Sequence, residues 1–251
     1  MYTAKKQLII VYSSLGIGWL LLMFAIFALI LSGCTKNPYG GSGNVITEQR
    51  DPGKFTEVTA DGPFIVYLQE AANTAVTINA EDNLMQFIET YVSGNTLHIK
   101  LKKNVQLHFI EDIKIYLKSP VYNAVNYSGN GFVQSIDTLH TDRFSCTING
   151  VNNATLAIIT PRLEIALNGN GHVDLSGSTD NYICKIKEDG AIGGLNLTCA
   201  DASIDIDGSG RQTLSVSRKL DVSIQGSGNV RYRGDPSVNK DIQGSGAVIK
   251  L

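Results

Sequence analysis

The sequence has little of what marks an enzyme or a metalloprotein. Its four histidines, His98, His108, His140 and His172, are dispersed, and no His-x-x-x-His, Cys-x-x-Cys or Gly-x-Ser-x-Gly segment occurs. No glycine-rich segment completes Gly-x-Gly-x-x-Gly, the pattern of a dinucleotide-binding turn. We therefore predict no catalytic residues, no cofactor and no metal site.

Excess positive charge is also missing. If residues 1–33 are removed as a signal peptide, Lys5 and Lys6 leave and no acidic residue does, so 21 − 2 = 19 basic side chains face 23 acidic ones. The net charge is then −4, with no basic cluster to neutralise a run of phosphates. We exclude nucleic acid as a partner on this ground.

The N-terminus indicates export. Two lysines precede the apolar stretch from Leu8 to Leu31, which continues as Ser-Gly-Cys34. This order is typical of a secretory signal, and the cysteine makes it similar to a bacterial lipoprotein signal in which Cys34 receives lipid. The alternative is an uncleaved membrane anchor, because the stretch exceeds the ~20 residues that span a bilayer. We expect a cell-envelope protein, attached by its lipid to the outer membrane, with residues 34–43 as a flexible tether rich in glycine.

Seven short glycine-rich repeats organise the second half of the chain, with their apolar first residues 18 to 21 positions apart. This period is typical of a β-solenoid built from short repeated turns, here called rungs. The chain is therefore predicted to be all-β, with about seven rungs of a parallel β-helix over residues 121–251. The repeats are Tyr127-Ser-Gly-Asn-Gly, Ile148-Asn-Gly-Val-Asn, Leu167-Asn-Gly-Asn-Gly, Ile186-Lys-Glu-Asp-Gly, Ile206-Asp-Gly-Ser-Gly, Ile224-Gln-Gly-Ser-Gly and Ile242-Gln-Gly-Ser-Gly.

Alternation along a strand predicts which side chains face inward. The position two residues before the anchors should form one interior column, broken by a charge only in the terminal rung, and the two glycines of each repeat should form a tight corner that needs positive φ. Cys146 and Cys184 would lie two rungs apart, about 9.6 Å, which is too far for a disulfide. With Cys199, we interpret them as small buried side chains. The predicted column contains Val125, Cys146, Ile165, Cys184, Ile204, Val222 and Lys240.

The outward positions beside the anchors supply the candidate ligand face. Lys185 and Lys187 in rung four would lie next to Asp205 and Asp207 in rung five. We favour a ladder of exposed ion pairs, each contributing at most about 1 kcal/mol. The alternative is a polysaccharide-cleaving site in which a lysine acts as the base and the carboxylates hold a metal.

A second outward row consists mainly of amides. Asn149, Asn168, Gln225 and Gln243 can hydrogen-bond along the stack, which is a structural role, or present amides to sugar hydroxyls, which is a binding role. We favour the structural role and keep the row as a candidate glycan-contacting surface.

Residues 44–120 lack the glycine repeat. Alternating segments such as Thr96 to Leu101 and Ile113 to Leu117 predict strands, and the segment from Asp82 predicts one short helix with Asp82 as its N-cap. We predict an irregular β-rich half that precedes the solenoid.

The chain from about residue 44 onward resembles a known family, the putative autotransporter adhesins with a head GIN domain, which are common as bacterial lipoproteins. The resemblance is carried by Gly43-Asn-Val, Phe55-Thr-Glu-Val, Gly62-Pro-Phe-Ile-Val-Tyr-Leu, Gly94-Asn-Thr-Leu-His-Ile and the Gly-Ser-Gly repeats. It implies a right-handed parallel β-helix that is exported and lipid-anchored, and it transfers no catalytic or ligand residues.

Three hypotheses for the function follow. The leading one is a non-enzymatic adhesin that presents a polar solenoid surface to a glycan or another envelope or cell-surface partner. The second is a polysaccharide-acting enzyme, and the third is a structural or sensory envelope component. The third includes a homo-oligomer, since the last rung, ending at Val248 to Leu251, leaves an uncovered strand edge.

Overall fold

The structure is a computed structural model that describes residues 39–251. The predicted signal peptide, Cys34 and residues 34–38 of the predicted tether lie outside the described residues. Eighteen strands of the described part form one continuous sheet, and two more form a small separate sheet.

The glycine repeats form the predicted β-solenoid of about seven turns. Every pairing between its strands is parallel, as a coil of rungs requires. The strands are β10 (Ala124–Ser128), β11 (Phe132–Ser135), β12 (Leu139–His140), β13 (Phe144–Asn149), β14 (Asn153–Asn168), β15 (His172–Glu188), β16 (Ala191–Gly208), β17 (Arg211–Gly226), β18 (Asn229–Arg233), β19 (Ser237–Gly244) and β20 (Ala247–Lys250).

The register confirms the predicted interior columns. The anchors pair in one line from Tyr127 through Ile148 to Ile242, and the column that contains Cys146 and Cys184 pairs beside it. These side chains are buried up to the sixth rung, whereas Lys240 in the last rung is exposed. The core is therefore a continuous apolar stack that ends at an open rung.

Glycine is required at the two corner positions for two different physical reasons. The positive φ predicted from the sequence occurs only at the first glycine of each pair. Gly169 has φ +127°, a conformation that other residues avoid. Gly171 has no positive φ, but a Cβ there would overlap the carbonyl group of Asn152 in the rung before it. The second glycine is needed because adjacent rungs approach closely. In the one repeat that has Glu188 instead of glycine at the first corner position, the backbone keeps a positive φ of +70°.

Part of the β-rich N-terminal half continues the parallel stack of the solenoid, a continuity that was not predicted from the sequence. Four strands, β3 (Glu57–Asp61), β4 (Phe64–Glu70), β7 (Thr96–Leu101) and β9 (Ile113–Ser119), pair in parallel layers. β3 and β4 lie against β10 and β11 on one side and against β7 and β9 on the other. The layers therefore stack out of chain order, with residues 57–70 between residues 96–119 and 124–135.

Antiparallel strands and a short helix close this end of the stack. The strands are β2 (Val45–Arg50), β5 (Ala75–Glu81) and β6 (Ile88–Ser93), and the helix is α1 (Asp82–Met85). β5 pairs with β2 and β9, and β6 pairs with β7. The Arg50 guanidinium donates to the Ile88 carbonyl at 2.8 Å, so it joins the two sides of the cap. Leu84 and Met85 of α1 are buried.

The predicted helix cap is wrong by one residue. Glu81 occupies the N-cap position without a side-chain capping bond, and Asp82 is the first helical residue. The Asp82 carboxylate accepts hydrogen bonds from Ser42 (2.5 Å) and Asn44 (2.9 Å), and these bonds hold its pKa below the ordinary value. Its side chain fastens the preceding segment to the cap.

The described part of the predicted tether, residues 39–43, is docked on the cap. Two short strands, β1 (Tyr39–Gly40) and β8 (Leu107–His108), pair in parallel. The buried Glu81 carboxylate accepts hydrogen bonds from the Gly43 amide (2.5 Å) and the Ile110 amide (3.0 Å). Gly41 lies so close to the Glu81 carboxylate that a Cβ would overlap it, and the segment is not a free linker from Tyr39 onward.

Candidate functional site

Six parallel strand segments carry the outward residues that the sequence analysis singled out. We call their outward surface the polar face: the side chains that alternate with the core columns in residues 145–149, 164–168, 183–187, 203–207, 221–225 and 239–243. Since successive residues of a strand point to opposite sides, burying the anchors exposes this face. Asn149 and Asn168 are half-buried there, and the candidate residues of the later rungs are exposed.

The register aligns all eight candidate residues in two neighbouring rows. Lys185 pairs with Asp205 across adjacent rungs, and Lys187 pairs with Asp207. The second row continues from Asn149 and Asn168 on one side of Lys187 to Gln225 and Gln243 on the other side of Asp207. The predicted juxtaposition of these positions is therefore confirmed.

Amide ladder bonds occur in the first rungs of the polar face. The Asn168 amide donates to the Asn149 side-chain oxygen at 2.9 Å, and Asn149 donates to the Ser128 hydroxyl at 3.2 Å. Gln225 and Gln243 have no such side-chain bond to each other in residues 39–251. The structural role predicted for the row applies to its asparagines, and the glutamine end keeps its hydrogen-bonding groups exposed.

The expected lysine–aspartate ladder does not form. Within the described part of the chain, neither Lys185 nor Lys187 has its ammonium within 4.0 Å of a carboxylate oxygen, although each lies beside an aspartate in the register. Exposed pairs of this kind gain little, since holding two mobile side chains together offsets most of the attraction. The four charges of Lys185, Lys187, Asp205 and Asp207 remain solvated.

Ion pairs form instead at the edge of the polar face, where the sequence analysis had not placed them. Arg218 donates to both carboxylate oxygens of Asp201, at 2.7 and 2.5 Å, and Lys219 lies 2.6 Å from Asp221. The hydrogen bonds from Arg218 hold the pKa of Asp201 below its ordinary value. Asp201 and Lys219 are cross-rung partners, so column alignment was the signal that could have located this cluster.

A shallow groove of about 360 Å³ crosses the polar face over rungs four to seven. Of the eight candidate residues, Lys185 and Asp205 line it, whereas the other six do not. Five further polar residues line the groove and were not predicted from the sequence; they occupy other outward positions of the same rungs. They are Ser203, Asp221, Ser223, Asn239 and Asp241.

The chemistry of the groove is that of hydrogen bonding to a polar ligand. Carboxylates accept, an ammonium donates, and hydroxyl and amide groups do both. Such a mixture can match the alternating donors and acceptors of a hydroxyl-rich molecule. Within residues 39–251, no group of three His, Cys, Asp or Glu side chains has an arrangement that could hold a metal ion.

The cysteines lie in the interior, as predicted. Cys146, Cys184 and Cys199 are buried free thiols, and burial raises the pKa of each to about 12. Since the thiolate is the reactive form, these groups are inert at neutral pH.

One buried polar cluster inside the solenoid was not predicted. Gln212 replaces an apolar residue in its column, next to Ile192 and Val230, and is 1% exposed. Its side-chain oxygen accepts hydrogen bonds from the Tyr182 hydroxyl (3.2 Å) and the Cys184 thiol (3.1 Å). The cluster is fully internal and stabilises the stack.

Within residues 39–251, no helix has the length and apolar character needed to cross a bilayer.

Two of the histidines lie beside carboxylates on separate parts of the surface. His140 lies 3.1 Å from Glu70, and His172 lies 3.1 Å from Asp174.

Comparison with known proteins identifies a family that matches this chain. The model of one protein family, described as "Putative auto-transporter adhesin, head GIN domain", matches residues 54–236, well over half of the chain. No curated protein matches the sequence.

Solved structures share the fold over most of the chain. A putative adhesin from Bacteroides fragilis NCTC 9343 has 25% sequence identity and a TM-score of 0.81, covering 84% of this chain and 99% of its own. A putative lipid binding protein from Parabacteroides distasonis ATCC 8503 has 23% identity and a TM-score of 0.73, covering 86% and 100%. A putative adhesin from the same organism has 18% identity and a TM-score of 0.71 over the same shares.

Proposed function

Because the chain belongs to the family of putative auto-transporter adhesins with a head GIN domain, we propose that it is a non-enzymatic adhesin of the cell envelope that binds a glycan through its polar face. In this proposal, lipid on Cys34 attaches the protein to the outer membrane. The observation that carries the proposal is the register of the polar face, which repeats hydrogen-bonding side chains at the same position in successive rungs.

A repeated row suits a repeated ligand. Parallel strands lie about 4.8 Å apart, so a chain molecule lying along the stack meets a similar set of donors and acceptors at each rung. Several weak contacts then add within one ligand, which supports binding without a deep pocket. The groove bounded by Lys185, Asp205 and Asp241 is the part of the face in which such a chain would be held most closely.

The binding test compares variants of the polar face with a variant outside it. Immobilised envelope polysaccharides are incubated with the wild-type protein, with Asp205→Asn/Asp241→Asn, and with Asp142→Asn, an exposed aspartate outside the polar face. We expect the double variant to lose retention and Asp142→Asn to keep it. Equal retention of all three proteins would remove the polar face as the binding surface.

The enzyme alternative has its own test. Lys187 and Asp207 are registered neighbours, so a lysine base and a carboxylate are at hand there. If the wild type shortens a polysaccharide and Lys187→Ala/Asp207→Ala does not, the protein is an enzyme and the proposal fails. We expect the length of the polysaccharide to stay unchanged with both proteins.

The side of the membrane is tested by protease shaving of intact and lysed cells. An epitope tag in the exposed Asp51–Lys54 loop avoids residues 39–43, which are docked on the cap. Loss of the tag in intact cells would place the solenoid outside the cell and agree with adhesion to other surfaces. Protection until lysis would restrict any binding to an internal envelope component.

Self-association is a competing role for the open end. β19 and β20 each pair on one side only, through β17 and β18, so their other edges are uncovered. Lys240 lies in an inward column at this edge, and inward charges oppose further strand pairing. We expect a monomer in sedimentation at high concentration, with dimers appearing in Lys240→Val. A wild-type oligomer would favour the structural role instead.

A further inference from the structure

The two ends of the solenoid carry exposed apolar side chains, and one end holds Tyr39, five residues after the predicted lipid-bearing Cys34. At the N-terminal end these side chains are Tyr39 (52% exposed), Val45 (46%), Ile46 (39%) and Ile110 (66%). We call Tyr39, Val45 and Ile110 the cap patch, because Ile46 follows Val45 in β2 and points to the other side of the strand. The open C-terminal end has its own, but it lies at the far side of the stack.

The residues of the cap patch are brought together by the contacts of the cap. A Cβ on Gly43 would lie 3.9 Å from Cδ1 of Ile110, so the segment before Val45 runs beside Ile110. The carboxylate of Glu81, which is fully buried, holds the Gly43 and Ile110 amides. Tyr39 packs on Phe87 with ring centroids 4.5 Å apart. The buried Glu81 carboxylate thus fixes the backbone beside Ile110, and the Tyr39 ring is held on Phe87.

Chain length decides what can cover this patch. Tyr39 is fixed on the cap, and Cys34 precedes it by five residues (39 − 34 = 5). A fully extended chain of five residues spans at most about 18 Å. If Cys34 carries lipid, as the proposed function holds, the cap cannot move further than this from the bilayer surface.

We infer that the cap patch is a lipid-contacting surface, which seats the N-terminal end of the solenoid on the bilayer and directs the open end away from it. This inference rests on the proposed lipid attachment, but not on glycan binding. Tyrosine combines an apolar ring with a polar hydroxyl and is favoured at membrane interfaces. Glu111 and Asp112 follow Ile110 and are exposed, and the cost of burying their charges would oppose insertion below the headgroups.

Lipid contact at a second point has a function of its own. A single lipid attachment leaves a protein free to tilt, whereas an apolar contact beside it restricts the orientation. With the cap on the membrane, the rungs stack outward and the polar face stands roughly perpendicular to the bilayer. The ligand groove over rungs four to seven is then held several rungs above the surface.

The test uses tryptophan as a reporter of lipid contact. The sequence has one tryptophan, Trp19, in the predicted signal. With Trp19→Phe in every variant, Ile110→Trp provides a unique reporter in the cap patch whether or not residues 1–33 are cleaved. Val151→Trp, at a residue that is 70% exposed on the side of the solenoid, is the matched control.

Each full-length variant is purified from cell envelopes and reconstituted into phosphatidylethanolamine–phosphatidylglycerol vesicles with or without brominated acyl chains. We expect brominated lipid to remove most of the emission of Ile110→Trp and to leave that of Val151→Trp unchanged. Iodide in the water should quench the emission of Val151→Trp strongly and that of Ile110→Trp little. Val45→Trp repeats the measurement from a second position in case Ile110→Trp perturbs the cap.

The outcomes separate the inference from the proposed function. If the protein floats with the vesicles and the emission of Ile110→Trp is quenched only by iodide, the attachment holds and the lipid-contacting cap is refuted. If the emission of Ile110→Trp is protected from both quenchers, a protein partner or a second copy covers the patch and the inference is again wrong. If the protein does not float, the attachment through Cys34 fails first, and the inference falls with it.

Discussion

Tyr127 provides a sharp test of how the glycine repeats connect to the N-terminal layers. Its hydroxyl is buried, accepts a hydrogen bond from the Phe64 amide at 3.2 Å, and lies 2.7 and 2.9 Å from the carbonyl oxygens of Phe64 and Gly62. Tyr127→Phe removes one oxygen atom and changes the packing volume little. The Phe64 amide, at the first residue of β4, then has no partner.

The expected loss follows from that orphaned amide. A buried donor left without an acceptor destabilises the folded state by about 1–3 kcal/mol. For a domain of this size, about 2 kcal/mol corresponds to a fall of roughly 4–8 °C in the melting temperature. Tyr116→Phe is the control, because Tyr116 is half-buried and stacks on Tyr67 at 4.7 Å. No hydrogen bond from the Tyr116 hydroxyl occurs in residues 39–251.

The assay is equilibrium unfolding in urea followed by circular dichroism. We expect the midpoint of Tyr127→Phe to fall with an unchanged slope, and the free energy of unfolding of Tyr116→Phe to stay within about 0.5 kcal/mol of the wild type. If both variants unfold at the same urea concentration, the Tyr127 hydroxyl does not stabilise the junction and the reasoning is refuted. A changed slope would indicate that the two halves unfold separately.

The remaining predictions concern the corners and the titration of buried tyrosines. Gly169→Ala should lower the free energy of unfolding by about 3 kcal/mol, from strain at φ +127° and overlap with the rung before it, while Gly40→Ala, with open space around it, should leave the urea midpoint unchanged. Glu188→Gly should raise the free energy of unfolding by about 0.5–1 kcal/mol, since relief of a positive φ exceeds the added entropy of the unfolded chain. Burial raises the pKa of Tyr127 to about 12 and raises that of Tyr122 further, so the folded state keeps protons that the unfolded state releases above pH 10. Stability should therefore fall between pH 10 and 12, less steeply in Tyr127→Phe, and an identical pH dependence in both proteins would contradict this.

The repeat period carried most of the fold information. Anchors at 18 to 21 residues, such as Ile186 and Ile206, defined the rungs, and the alternation beside them located the inward and outward columns. The register follows from the sequence because a one-residue slip would turn the core outward. The same logic identified Lys240 as the charge that breaks the interior column in the last rung.

The N-terminal half could not be read in this way, because its layers are not consecutive in the chain. Residues 57–70 and 96–119 pair in parallel, yet an antiparallel strand, a short helix and another strand separate them. A periodicity search compares neighbouring segments and does not detect stacking out of order. The docking of residues 39–43 was missed for a related reason, since its partner Glu81 is some forty residues away.

Side-chain pairing on the polar face was the least predictable property, and it bears most directly on function. The register placed Lys185 beside Asp205, but an exposed pair contributes at most about 1 kcal/mol, so register alone does not decide whether the side chains meet. Lys219 and Asp221 meet at 2.6 Å at the edge of the same face, whereas Lys185 and Asp205 do not. Where a planar guanidinium meets a carboxylate, as in Arg218 and Asp201, two hydrogen bonds form together and the pair is ordered. A ligand that contacts Lys185 or Asp205 therefore does not have to break an existing ion pair, whereas one that contacts Asp201 does. In the proposed function, the groove therefore binds its ligand through the solvated charges, with the Arg218–Asp201 pair as a fixed boundary at the edge of the face.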